Sequence, residues 1–323
     1  MTGAGIGPVT ARVRQAARPA ARVLRKIGRW RQVREAVDAI RGARGVRLVL
    51  VFHRVAERDV PTYEIVPTVP VELFRQQLDV FGELAELVPV DSIMREPVDP
   101  QRPFQLALTF DDDLGAHVTH ALPILRALGL HATFFLSGRA IHRLGGYWFE
   151  RLEALLAERG PAATADVLDL PGVPPLELAL RCEADRDRLA LIERHAPPVE
   201  VSLGEAGIRA LRDAGMTVGF HTLHHPVLPP LDDAELRGAL ATGRDELERV
   251  VHEPLRYFAY PHGKTDPRTV AFTQEAGFSA AWTTQPRVIR SMDVPFLLGR
   301  WEPRPVPVDV LLIRLGDVVR RVG

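Results

Sequence analysis

The sequence predicts an α/β protein in which parallel strands, closed into a barrel or wound into a sheet, are covered by helices. Three observations carry that expectation. Short apolar runs recur from residue 46 onward, helix-like stretches separate them, and Asp- or His-rich residues follow several of the runs. Runs that are apolar at consecutive positions, rather than alternating, suit strands buried on both faces.

The strands expected in order are Val46 to Phe52, a shorter Leu87 to Val90, Leu106 to Phe110, Ala132 to Leu136, Thr217 to Phe220, Tyr257 to Tyr260, Ser279 to Trp282 and Phe296 to Leu298. Between them Val71 to Leu84, Val118 to Leu128, Gly204 to Ala214, Asp232 to Val251 and Pro267 to Ala276 read as helices. Residues 139–200 break the rhythm with a Pro/Gly-bearing segment around Gly160 to Pro175, flanked by helical stretches Tyr147 to Arg159 and Leu176 to His195. They read as an insertion, placed to act as a lid. The chain thus divides into an arm at 1–45, a domain at 46–305 with an insertion at about 139–200, and a C-terminal helix at 306–323.

Composition narrows the function classes. Lys plus Arg and Asp plus Glu balance at 41 each in 323 residues, so nucleic acid is not an expected partner. The balance hides an asymmetry, because the first 46 residues carry basic side chains from Arg12 to Arg44 against only Glu35 and Asp38. Val13, Ala17, Val23, Leu24, Ile27, Trp30, Val33 and Val37 lie among them at loosely helical spacing, interrupted by Pro19. This basic amphipathic arm suits either peripheral contact with an anionic membrane or packing on the domain. The single cysteine, Cys182, excludes an internal disulfide and a cysteine-rich metal site. No segment has the apolar length of a signal peptide or a membrane span, and the expected location is the cytoplasm, with membrane association left to the arm.

The reactive residue types fall at strand ends, where loops of parallel α/β folds converge on a ligand. Asp111, Asp112 and Asp113 directly follow Leu-Thr-Phe, and three carboxylates crowded there repel one another unless a cation or a proton intervenes. His221 and His225 stand four apart after the run Thr217 to Phe220. Two imidazoles and a carboxylate make a facial set for a divalent metal with open positions. His117 and His120 form a rival pair, ranked lower because a helix leading away from the strand end carries side chains off the site.

Joined, Thr109-Phe110-Asp111-Asp112 and His221-Thr222-Leu223-His224-His225 resemble the first two motifs of the polysaccharide deacetylases of the NodB homology type. The resemblance spans roughly residues 46–300. It takes in Phe52-His53-Arg54-Val55, Phe74-Arg75-Gln76-Gln77-Leu78, Ala132-Thr133-Phe134-Phe135 and Phe258-Ala259-Tyr260-Pro261-His262-Gly263. It implies a distorted (β/α) barrel that hydrolyses the N-acetyl group of an aminosugar in a glycan or glycan precursor. Asp112, His221 and His225 would hold a divalent metal, zinc first with Co, Mn, Fe or Ni as other choices, and Asp111 would be the base. Backbone groups near Tyr260, Pro261 and His262 would stabilise the oxyanion, Thr222 would brace the metal loop or meet the product, and Trp282 would line the pocket.

Three departures limit the transfer. Asp113 replaces a usual Gly and is expected to cap the following helix. Ala259 stands where many members carry an Arg that orients the base, leaving Arg256 or Arg300 to serve. Leu297-Leu298-Gly299-Arg300-Trp301 lacks the His that usually protonates the leaving amine, which makes His262 and His53 the candidates by placement. Two other readings remain at this stage: a deformylase or deacetylase of a lipid- or nucleotide-linked sugar, and a sugar-binding protein that has lost turnover.

Overall fold

The computed structural model describes residues 30–57, 63–199, 203–289 and 295–321. In chain order the strands are β1 (Arg47–Phe52), β2 (Arg54–Ala56), β3 (Thr68–Pro70), β4 (Glu86–Leu87), β5 (Gln105–Asp111), β6 (Ala132–Leu136), β7 (Thr217–Phe220), β8 (Tyr257–Ala259), β9 (Ala280–Trp282) and β10 (Arg300–Trp301). An eight-stranded parallel sheet runs β10-β1-β5-β6-β7-β8-β9, with β4 added beside the start of β5. Its two edges meet at Leu298, which bridges Trp282 and accepts from Thr283 N–H at 2.8 Å. The sheet is therefore nearly closed into a barrel, which decides between the two topologies the sequence allowed.

Side-chain parity then assigns each strand residue to one of two layers. Leu48, Leu50 and Phe52 of β1, with Leu106, Leu108 and Phe110 of β5 and Phe134 of β6, pack outward in the large core under the helices. Val49, Ala107, Phe135, Tyr257, Ala259 and Trp282 fill the barrel interior. Thr109 and Asp111 share the parity of Ala107, and His221 follows Gly219 on the inward parity of β7, whose Val218 and Phe220 face outward. Gly219 has to lack a side chain, because a Cβ there would stand 2.5 Å from the Phe135 ring. The alternation thus aims Asp111 and His221 at the barrel axis from strand carboxyl ends.

The helices are α1 (Trp30–Gly42), α2 (Val71–Leu84), α3 (Val90–Arg95), α4 (Leu122–Leu128), α5 (Trp148–Val167), α6 (Pro175–Cys182), α7 (Arg186–His195), α8 (Glu205–Asp213), α9 (Asp233–Ala241), α10 (Arg244–Val251), α11 (Pro267–Glu275) and α12 (Val308–Arg320). Several expected bounds change for physical reasons. The single helix expected at Asp232 to Val251 breaks at Gly243, whose φ of 85° lies outside helical space. The strand expected at Leu87 to Val90 forms one residue earlier and shorter, as β4, and Pro89 then caps the start of α3. Leu298 makes only a bridge, and the strand expected at Phe296 to Leu298 forms at β10 instead. The two-stranded β2–β3 sheet was not expected.

The insertion builds its own small core from Leu152, Leu156, Leu168, Leu178, Cys182 and Ile192. The arm expected at residues 1–45 lies outside the described residues as far as Arg29. From Trp30 it is α1, which buries Val33, Ala36 and Ile40 on the domain. Its closest approach is to α12, where a Cβ on Gly316 would sit 2.6 Å from that of Ala36. Gly316→Val is accordingly expected to force the helices apart and cost about 1–3 kcal/mol in denaturant unfolding. An unchanged midpoint would show that the two helices are not held together in solution.

Candidate metal centre and its cavity

Asp111, Asp112, His221, His225, His53, Tyr260 and His262 line a cavity of about 220 Å³ at the carboxyl ends of the strands. Trp148, Phe149, Leu176, Ala179, Leu180 and Glu183 of the insertion form its outer wall. Four of these residues or their neighbours hold left-handed backbone: Asp112 (φ 72°), Thr222 (φ 60°), His225 (φ 52°) and His262 (φ 58°). Such strain in non-glycine residues gathers where surrounding structure enforces a functional geometry.

Each turn has an identifiable clamp. Buried His117 donates its Nε2–H between the carbonyls of Asp111 (3.0 Å) and Asp112 (2.9 Å), fixing the reversal after β5. This makes His117 a structural histidine, its pKa lowered to about 4 by burial despite those bonds, and the rival pair with His120 does not form a site. Thr222 accepts the His225 N–H on Oγ1 at 3.1 Å, so Thr222 braces the second histidine turn. The helical turn after β5 begins after Ala116, so Asp113 is not at its N-cap position. Its carboxylate instead accepts from the Ser137 and Arg139 N–H groups, both at 2.8 Å, tying the β5 end to the loop after β6. Arg139 then donates to Leu223 O at 3.0 Å, which extends the tie to the histidine loop.

Asp112, His221 and His225 offer donor atoms that all lie within 4.8 Å of one another, and all three residues are buried. Asp112 Oδ1 stands 3.8 Å from His221 Nε2 and 3.8 Å from His225 Nε2. That oxygen has no hydrogen-bond partner among the described residues. A buried, unpartnered carboxylate oxygen facing two imidazole nitrogens fits a divalent cation. His221 donates Nδ1–H to Ala259 O at 2.8 Å, leaving its Nε2 lone pair turned to that point. The rings of Tyr147, Phe149 and His262 pack on His225, the last at 4.5 Å between centroids. Burial raises the Asp112 pKa to about 7, with Asp111, Glu150 and Asp113 adding repulsion and His53 opposing. Burial also lowers His221 to about 4 and His225 well below its ordinary value, so both imidazoles are neutral and fit to ligate.

Asp111 is held differently. Arg300, fully buried, donates Nη1 and Nη2 to Asp111 Oδ1 and Oδ2 at 2.6 and 2.7 Å, and its Nε to Thr283 O. Burial alone would raise the Asp111 pKa; Arg300, with His221 and His53, overcomes it and brings it down to about 2. Of the two arginines expected to serve, Arg300 of β10 is thus the one that pairs with Asp111. Asp111 Oδ2 lies 4.0 Å from His221 Nε2, beside the metal donors.

The remaining expected residues divide. Tyr260 and His262 line the cavity, whereas Trp282 is wholly buried against Phe135 and Tyr257 in the barrel interior and is not among the lining residues. Of the expected oxyanion segment, Tyr260 N–H bonds Trp282 O and Gly263 N–H bonds Tyr260 O, while Pro261 has no N–H. His262 N–H is the main-chain donor left there among the described residues. Two carboxylates escaped the sequence reading. Glu302, just past β10, faces His53 Nδ1 at 3.6 Å; its strand-end position was the available signal. Glu183, ending α6, reaches His262 Nδ1 at 3.2 Å and pairs with Lys264, which no local pattern announced.

The family model described as polysaccharide deacetylase matches residues 99–281, more than half of the chain. No curated protein matches the sequence significantly. Among solved structures, the Streptococcus pyogenes deacetylase PplD, determined with acetate, is 18% identical over 84% of this chain and 97% of its own, with a TM-score of 0.58. IcaB from Ammonifex degensii is 20% identical over 85% of this chain and 97% of its own, TM-score 0.57. A Bacillus cereus polysaccharide deacetylase is 16% identical over 84% and 69%, TM-score 0.56. At these identities the likeness is one of fold, and the family rests on the sequence match. The chain belongs to the polysaccharide deacetylase family, carbohydrate deacetylases and hence hydrolases of non-peptide carbon–nitrogen bonds.

Proposed function

We propose that the protein removes the N-acetyl group from an aminosugar of a glycan or glycan precursor, with a divalent ion held by Asp112, His221 and His225. The observation that carries this reading is the convergence of those three buried donors on the unpartnered Asp112 oxygen, with ionised Asp111 at their side. When bound, a divalent ion, with zinc the first choice for such a donor set, lowers the pKa of a water and polarises the acyl oxygen.

The chain's own residues do the rest. Asp111, kept ionised and oriented by Arg300, takes the proton from the attacking water. His262 N–H, which has no main-chain partner among the described residues, would donate to the acyl oxygen as charge develops there. Of the two histidines expected by placement, we assign the proton for the leaving amine to His53, at the end of β1, because of its surroundings. Burial would lower its pKa, but Glu302, Asp111 and Asp112 overcome burial and raise it, which favours the protonated ring a general acid needs.

Incubating metal-loaded protein with N-acetylglucosamine oligomers should release acetate, and chelation should stop it. Asp111→Asn is expected to slow release by about 10²–10⁴-fold, the usual span for a positioned base. His53→Gln should slow the amide but spare an activated aryl acetate, whose leaving group needs no proton. Full amide hydrolysis by Asp111→Asn would remove the base; equal losses on amide and ester in His53→Gln would remove the acid.

A further inference from the structure

The cavity changes character between floor and mouth. Its floor is the ionisable set around Asp112, whereas Leu176, Ala179 and Leu180 of α6 with Ile65 and Trp148 make the outer wall largely apolar, its charged member Glu183 being paired with His262 and Lys264. Leu176 and Leu180 are each 64% exposed, more than any other large hydrophobic side chain among the described residues. Spaced four apart, they share one face of α6, while Leu178 and Cys182 turn into the insertion's own core. The exposed face is thus not a failure of packing. A single exposed leucine is ordinary, but a pair continuous with a catalytic cavity marks what the cavity admits.

A hydrated sugar chain gains little there, because leucines accept none of its hydroxyl hydrogen bonds and displace the water that does. An alkyl chain gains by burying methylenes against them. Resting on the deacetylase reading above, we propose that the aminosugar substrate carries an alkyl chain as its aglycone, and that Leu176 and Leu180 seat the first part of that chain. The chain belongs to the sugar and not to the acyl group, because the reacting amide must sit at the floor beside Asp111 and His221, with the rest of the sugar directed to the mouth.

The test separates binding from turnover. With metal-loaded protein, the octyl glycoside of glucosamine, which has no acyl group to lose, should bind at least about tenfold more tightly than the methyl glycoside, below micellar concentrations; burial of two methylenes suffices for this. In the double variant Leu176→Ser, Leu180→Ser that ratio should fall to about one. The same ratio should govern kcat/KM for the two N-acetylglucosamine glycosides. Equal binding of both glycosides, or a preference that survives the double variant, overturns the proposal. So does preferential hydrolysis of an N-octanoyl methyl glycoside, which would put the chain on the acyl side, or a dimer that the double variant dissociates in sedimentation. Acetate release without chain preference sinks the chain site and leaves the deacetylase reading; chain-selective binding without acetate release does the reverse.

Discussion

Asp112→Ala is expected to abolish acetate release and the thermal stabilisation conferred by divalent ions, while leaving the metal-free fold intact. The reason lies in what Asp112 costs when no cation faces it. Burial raises its pKa to about 7, above the roughly 3.9 of an unfolded Asp. At this site the metal-free native state therefore holds a proton that the unfolded chain has released between about pH 4 and 7, and the contribution of Asp112 to stability falls as pH rises through that window. The loss is on the order of 4 kcal/mol for a shift of this size. Above pH 7 a bound cation would replace the proton, so ion binding should strengthen as pH rises and release protons. In the alanine variant that contribution should be missing, so stability should rise more steeply with pH between about 4 and 7 than in the parent, because buried neutral His117, His221 and His225 contribute the opposite slope. Thermal melts from pH 5 to 8, with chelator and with zinc, measure both effects; equal metal content in variant and parent would defeat the ligand assignment.

What the sequence disclosed and what it withheld follow one physical line. Strands β1, β5 and β6 were legible because burial on both faces writes continuous apolar runs, and Asp111, Asp112, His221 and His225 because their residue types stand out at the ends of such runs. Contacts across the barrel left no such trace. Arg300 lies 189 residues from Asp111, and only closure of the sheet through Leu298 and β10 brings it there. Asp113 looked like a helix cap because local spacing permits one, yet the adjacent β6 loop offered two N–H groups and took the carboxylate. Trp282 was expected in the pocket from its motif, but strand parity turns it into the interior with Ala280. Glu183 could be placed against His262 only once the insertion had folded over the strand ends.

Arg300→Met should be the most damaging change away from the candidate metal ligands, for the same reason that Arg300 was hard to foresee. It leaves Asp111 buried with no counter-charge, and removing one partner of a buried pair costs about 3–5 kcal/mol. The sign of the pH effect is fixed by the depressed pKa. With Arg300 present, ionised Asp111 contributes stability that is complete above the ordinary carboxylate range and lost only as pH falls toward 2. Without it, burial dominates, the pKa rises, and the acid limb of kcat should move upward. Arg300→Lys restores a charge but not the paired guanidinium bonds, so it should recover stability more fully than turnover. That split distinguishes orientation of the base from support of the fold. If the methionine variant kept the parent's acid limb while retaining metal, Arg300 would be holding the barrel closed without setting the state of Asp111.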